Sequence, residues 1–334
     1  MVLLGVLVGL AACAEDAKVK NVTFTYSDWT ALPVTANIPT LRFGPQYGVS
    51  GNKIIIMGGY APYPTGTGVV EVFNTTAETW ATSAATLPIM TSGAISGVLN
   101  EKMYLSAGYT PSNGYILNTQ EYDVANESFT DCASSTTGSP CANVSAGNFG
   151  AGAELAASVV HNGKIYSFGG KRDLSGFDDV VREYDIATNT WTNCAGGCAP
   201  VPAGPTWMGT AEVVNGKAYY FDPWNGLLEY DIAANAWTNC GTPAPGNNCP
   251  AVPFAITGLT ATVQIQGRIF ALHEGTTTLY EYTPATNTWT NCGTPDPGNG
   301  CPVLPGTATH IEAVDSRLYA FDQATGTIYK ATFK

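Results

Sequence analysis

Three histidines, five arginines and a scatter of carboxylates have the most scope for chemistry in this 334-residue chain. His161, His273 and His310 stand far apart, and no HxH or HExxH spacing joins them, so neither a zinc nor a copper centre is indicated. Asp173, Asp178 and Asp179 lie close together but lack the oxygen spacing of a calcium loop, and they read as a solvated turn. No glycine-rich phosphate loop, nucleophile elbow or catalytic triad is present. Of the arginines Arg42, Arg172, Arg182, Arg268 and Arg317, two (Arg268 and Arg317) stand at turn positions filled elsewhere by lysine and read as surface residues. Arg42, just ahead of a strand, is the arginine placed to clamp an anionic ligand in a pocket. Glu154 and Trp207 fall at equivalent places in an internal repeat, with His310 three positions further along its own unit. Together they could line a sugar pocket, with the indole stacked on a ring face and the carboxylate taking hydroxyls, or they could simply cap a channel. Glu154, Trp207, His310 and Arg42 are therefore the binding candidates, and no catalytic residue, metal or cofactor is expected.

The repeat that carries these residues is clearest at 282–302, YTPATNTWTNCGTPDPGNGCP. It recurs at 230–250 as YDIAANAWTNCGTPAPGNNCP and, shortened, from Tyr184 as YDIATNTWTNCAGGCAPVP. In each copy a second aromatic follows the first by seven positions: Phe73/Trp80, Tyr122/Phe129, Tyr184/Trp191, Tyr230/Trp237 and Tyr282/Trp289. Ahead of each pair lies a run rich in Val, Ile, Tyr and Phe, then a polar turn, then a run of small and β-branched residues. Four short strands per unit, at a period of about 50 residues, describe the blade of a β-propeller. A blade cannot bury both faces by itself, so its neighbours must cover them, and the large aromatics are the natural filling between blades. Trp29 sits one period before the first pair, and the last unit (306–334) has three strands without a terminal pair. Six blades are predicted, the last completed by an N-terminal strand within 21–29, which hides the edges of the sheets.

The pattern resembles the Kelch repeat, whose mark is a Gly-Gly pair ending the second strand, followed by spaced Tyr and Trp. Gly58-Gly59 and Gly169-Gly170 match it and Ala107-Gly108 nearly does, whereas Asp222-Pro223, His273-Glu274 and Asp322-Gln323 depart from it. The resemblance implies an all-β, six-bladed fold over residues 15–334 as a single domain, and it does not imply an activity. The copper chemistry of galactose oxidase, a Kelch propeller, needs two Tyr, two His and a Tyr–Cys crosslink. No such pairing is available here.

Eight of the nine cysteines form local couples: Cys132/Cys141, Cys194/Cys198, Cys240/Cys249 and Cys292/Cys301. Each follows a strand carrying a second aromatic and reads as a disulfide, which implies an oxidising compartment. The couples fall in different blades, too far apart to make a four-cysteine zinc site. Cys13 is left over. Residues 1–14 are apolar, too short to span a bilayer, and read as a signal peptide. Cleavage follows Ala14, or Cys13 is lipidated as in a bacterial lipoprotein. Four sequons, at Asn21, Asn74, Asn126 and Asn143, are about what composition alone produces. Charged residues are 12% of the chain and its net charge is −12, which argues against nucleic acid or an anionic membrane as partner. The expectation is a secreted or envelope-anchored monomer that binds a glycan or a protein. The alternative is an exported carbohydrate-active enzyme of mutarotase or lyase type.

Overall fold

The computed structural model describes residues 26–132, 141–144, 153–173, 176–192, 197–202, 204–241, 249–256, 260–273, 276–292 and 301–333. The proposed leader at 1–14 with Cys13, the sequon at Asn21, and Cys194 lie outside the described residues.

Six four-stranded antiparallel sheets are arranged as the blades of a propeller. Their inner strands are Gln46–Ser50, Ile95–Leu99, Ala157–His161, Thr210–Val214, Ala261–Ile265 and His310–Val314, in blades 1 to 6. Each inner strand touches the next, and that of blade 6 touches that of blade 1, so the ring closes. Blade 6 takes its outer strand from the N-terminal segment: Thr30–Ala31 pairs with Ile328–Thr332. The closing segment is displaced slightly from the 21–29 expected. It is extended by the bridge Tyr26↔Phe333 and by the amide of Leu32, which donates to the Ile328 carbonyl at 2.8 Å.

The second strand of each blade is apolar along its length, as in Lys53–Met57 and Arg268–Leu272, because neighbouring blades cover both of its faces. Outer strands such as Thr79–Thr82 are largely exposed. The core accordingly lies between blades. Ile55 and Met57 of blade 1 pack with Met103 and Leu105 of blade 2, and Phe168 of blade 3 packs with Tyr220 and Leu228 of blade 4.

The aromatic repeat has a geometric cause. In every pair the two rings sit directly opposite each other across the third and fourth strands: Phe73↔Trp80, Tyr122↔Phe129, Tyr184↔Trp191, Tyr230↔Trp237 and Tyr282↔Trp289. Three of the tyrosine hydroxyls donate to an asparagine five residues on: Tyr184 to Asn189 at 2.7 Å, Tyr230 to Asn235 at 2.7 Å and Tyr282 to Asn287 at 3.0 Å. Those asparagines end the intervening turn with φ near +54°, +52° and +54°, a conformation that asparagine tolerates. The indole N–H groups reach back to the preceding crossover segment. Trp80 donates to the Ala36 carbonyl, Trp191 to Ala142, Trp237 to Ala199 and Trp29 to Pro302. Each aromatic pair thus fills a blade, and those closed by Trp80, Trp191 and Trp237 also pin the chain that enters it.

Disulfides link Cys132–Cys141, Cys240–Cys249 and Cys292–Cys301, with Cα–Cα separations of 5.2, 4.8 and 5.0 Å. All three lie in segments crossing from an outer strand to the next inner strand. The fourth expected couple, Cys194–Cys198, is not among these three, because Cys194 lies outside the described residues. Cys198 is itself disulfide-bonded, and its half-buried side chain packs against the core between blades 3 and 4. The disulfides point to an oxidising environment. No helix among the described residues is long and apolar enough to cross a membrane.

Candidate functional site

The two ends of the propeller differ. One end carries the tight hairpins, such as Asn162-Gly163 with φ of +47° and +76°, and the short turns before the outer strands. The other end carries the crossover segments and the loops between second and third strands. In blades 2 and 3 those loops rise as small ribbons, Tyr109–Thr110 with Gly114–Tyr115 and Lys171–Asp173 with Gly176–Phe177. Binding residues concentrate on such loops when a rigid scaffold positions them.

Glycine pairs let blades 1 and 3 build these loops. A Cβ on Gly58 would stand 2.5 Å from the Thr91 carbonyl oxygen, and one on Gly169 would stand 2.5 Å from that of Thr206, with φ of +69° and +62°. Each first glycine also offers its carbonyl to a buried arginine: Gly58 to Arg42 and Gly169 to Arg182. Blades 4 and 6 use another device. The carboxylates of Asp222 and Asp322 accept the amides of Trp224 and Ala324, each at 2.8 Å, and close short turns without a glycine pair. The rim is therefore higher over blades 1 to 3 than over blades 4 and 6.

A cavity of about 1000 Å³ opens at this end along the axis. Each inner strand contributes a side chain to its wall: Tyr47, Ser96, Ser158, Glu212, Thr262 and Glu312 in blade order. The wall is extensively hydrogen-bonded. The Ser158 hydroxyl donates to the Ser96 carbonyl at 2.8 Å, the Thr262 hydroxyl donates to Glu212 Oε1 at 3.1 Å, and Thr210 and Thr262 share a bond of 2.8 Å. His310 Nε2 lies 2.8 Å from Glu312 Oε1, and the His310 ring stacks on Tyr47 with centroids 3.5 Å apart. The Glu212 carboxyl is pushed up to about 8, first by removal from water and then by the charge of Glu312. Burial also raises Glu154, opposed by Lys171 and by a hydrogen bond with Tyr115.

Of the residues singled out in the sequence, Glu154, His310 and Arg42 border this cavity. Trp207 stands off the axis, stacked on Phe177 at 4.8 Å, beside Trp224 at 6.4 Å and under the Lys171 ammonium at 5.5 Å. Arg42 does not offer its side chain as an anion clamp. Its guanidinium is fully buried, 2.5 Å from Glu71, and also donates to the Val69 carbonyl at 3.0 Å, so it presents no surface to a ligand. Asp178 is likewise no solvated turn residue: it is buried and pairs with Arg182. Arg268, read as a surface residue, is half-buried against Glu281 and donates to the Tyr26 hydroxyl at 2.8 Å. Sequence reasoning missed Glu212, Glu312 and Tyr47. The signal was present: at the third position of the inner strand the other blades have Gly48, Gly97, Val159 and Val263. Among the described residues, no group of three or more His, Cys, Asp and Glu is placed to hold a metal ion.

The rim of the cavity is apolar. Seven large hydrophobic side chains are exposed among the described residues; Leu41, Phe43 and Tyr63 line this opening, and Met90 and Trp224 stand on a crossover segment and a loop of the same end. Tyr63 and Phe43 are 71% and 58% exposed. Patches of this kind on a folded protein mark interaction surfaces.

The family model described as the KLHDC2/KLHL20/DRC7 Kelch-repeats domain matches residues 11–221. The match ends directly before Asp222, where the glycine-pair loop gives way to the aspartate-capped turn. No curated protein matches the chain.

Proposed function

The chain belongs to the Kelch-repeat family, and from that premise we propose that it is a protein-binding module which engages its partner with the loop-bearing end of the propeller. The observation that carries this reading is the exposed Leu41, Phe43 and Tyr63 lining the mouth of an axial cavity, with Met90 and Trp224 also exposed on that end. Apolar anchors around a polar recess suit a protein segment that lays side chains on the rim and sends one inward. We further place the protein outside the cell or in the envelope, made with a leader at 1–14 and working as one monomeric domain over 15–334.

A glycan is the second reading. It is favoured by the stack of Phe177, Trp207 and Trp224, whose rings lie within 30° of parallel and whose outermost member, Trp224, is 57% exposed. An enzyme acting on an anionic sugar is disfavoured, because Arg42 is committed to Glu71.

A random peptide display library panned against the oxidised full-length protein tests the first reading. Peptides should be enriched by the wild type, lost on Phe43→Ser/Tyr63→Ser, and kept on Ala125→Lys/Ala187→Lys at the opposite end. Retention on the rim variant and loss on the opposite-end variant would reverse the assignment. Binding of neutral oligosaccharides that is abolished by Trp224→Ala, with no peptide enriched, would move the function to the glycan reading.

A further inference from the structure

We propose that the axial cavity receives a basic side chain of the partner protein, an ammonium or guanidinium group seated between Glu212 and Glu312. This deepens the protein-binding reading and rests on it.

The first observation is one of position. Glu212 and Glu312 hold the same place on the inner strands of blades 4 and 6, opposite Tyr219 and Tyr319. At that register blades 1, 2, 3 and 5 carry Gly48, Gly97, Val159 and Val263. Two carboxylates therefore project from a column that is otherwise small or apolar, into a cavity with room for a long side chain.

The second observation is one of charge. The glutamates on the third strands each have a cation: Glu71 pairs with Arg42, Glu121 with Lys102, Glu183 with Lys164, Glu229 with Lys217 and Glu281 with Arg268. Glu154, at the rim, feels Lys171. Among the described residues no lysine or arginine forms an ion pair with Glu212 or Glu312. Glu212 accepts from the Thr262 hydroxyl and the Gln264 amide, and Glu312 has His310. The charge of Glu312 also raises Glu212. Glu212, removed from water and set against the charge of Glu312, is poorly placed until a cation enters that attracts both carboxylates.

The surroundings suit the stem and head of such a side chain. The Tyr47 ring stands beside Glu312 through His310, and Tyr60, Tyr109 and Tyr115 line the way in. The protein already holds one ammonium of its own in this manner: Lys171 Nζ lies 5.7 Å from the Tyr115 ring and 5.5 Å from Trp207, with Glu154 nearby. Aromatic faces and a carboxylate together favour a desolvated cation. The net charge of −12 draws a basic segment toward the surface, and the apolar rim takes its neighbouring residues. The partner is thus a protein segment in which one lysine or arginine is flanked by aromatic or aliphatic side chains.

The test uses peptides enriched by panning against the oxidised full-length protein, measured by fluorescence polarisation on wild type, Glu212→Gln, Glu312→Gln and the double variant. The peptides should share a lysine or arginine at a fixed position. Replacing it with norleucine or citrulline, or using the double glutamine variant, should each weaken binding by about tenfold or more, the scale of a desolvated charge pair. The substituted peptides leave the protein untouched, so the result does not depend on the variants folding. Peptides lost on Phe43→Ser/Tyr63→Ser, yet lacking a fixed basic residue and indifferent to the glutamine variants, would overturn the cation site and leave the protein-binding reading standing. Failure to enrich any peptide would remove both.

Discussion

The Glu212 carboxyl is pushed up to about 8 because the folded chain shields it from water and sets Glu312 against it. In the unfolded chain the same carboxyl titrates near the ordinary 4.5. Between those values the native state holds a proton that the unfolded state has released, so this group's contribution is complete below 4.5 and is lost as pH rises through about 8. Glu212→Gln removes the titration. Urea midpoints measured at about pH 5 and about pH 9 should show the wild type losing ground to the variant at the higher pH, and parallel behaviour would contradict the assignment. Arg42 makes the opposite case, a charge that works entirely inside the protein. Arg42→Met leaves Glu71 buried without its cation and should cost about 3–5 kcal/mol in urea unfolding, while the affinity of the folded variant for a rim-bound peptide stays unchanged. From the sequence, Arg42 could be placed before a strand but not paired. Its partner lies 29 residues away on a different strand, and nothing in the local pattern marks Glu71 as different from the other third-strand glutamates.

At the scale of the element, Trp80, Trp191 and Trp237 both pack and pin. Trp237 donates to the Ala199 carbonyl at 2.9 Å, whereas the buried Trp289 N–H has no hydrogen-bond partner among the described residues. Both rings sit opposite a tyrosine at nearly the same separation, 4.7 and 4.8 Å, so Trp→Phe removes similar packing from each. Trp237→Phe should therefore destabilise by about 1 kcal/mol more than Trp289→Phe in matched urea titrations, the worth of one neutral hydrogen bond. Equal losses would show that the pinning bond contributes nothing. This level was the most legible in the sequence, because the paired aromatics recur in register and the propeller gives each pair the same environment. The glycine pairs were legible too. What the sequence alone did not explain was their absence from blades 4 and 6, since the substitute is a side-chain cap at Asp222 and Asp322 and has a different signature.

For the molecule as a whole, ring closure depends on a few residues far from the rest of blade 6 in sequence. Thr30–Ala31 covers the edge of Ile328–Thr332, and Trp29 is buried with its indole on the Pro302 carbonyl. Removing the chain through Ala31 bares that edge and opens the interface between blades 5 and 6. The truncated protein should elute as aggregate in size-exclusion chromatography and lose its sharp thermal transition, whereas a monomeric, cooperatively melting product would show the closure to be dispensable. Blade number and closure could be inferred from repeat spacing, because each unit repeats one set of local rules. The cavity could not. Its wall takes one residue from each blade, and which side chains meet depends on the geometry of the ring. Repeat alignment brings out Glu154 and His310, whereas Trp207 stacks on Phe177 beside the axis, and Glu212 and Glu312 lie on strands whose local pattern is otherwise ordinary.

The central claim is that the loop-bearing end is the binding surface. Hydrogen–deuterium exchange of the oxidised full-length protein, with and without a saturating panned peptide, tests it most directly. The account predicts slowed exchange in the loops around Tyr60 and Tyr109 and along the inner strands at Tyr47 and Glu312, with the hairpins at Asn162-Gly163 and Asn215-Gly216 unchanged. Slowed exchange confined to those hairpins and to the short turns before the outer strands would place the partner on the opposite end and contradict it.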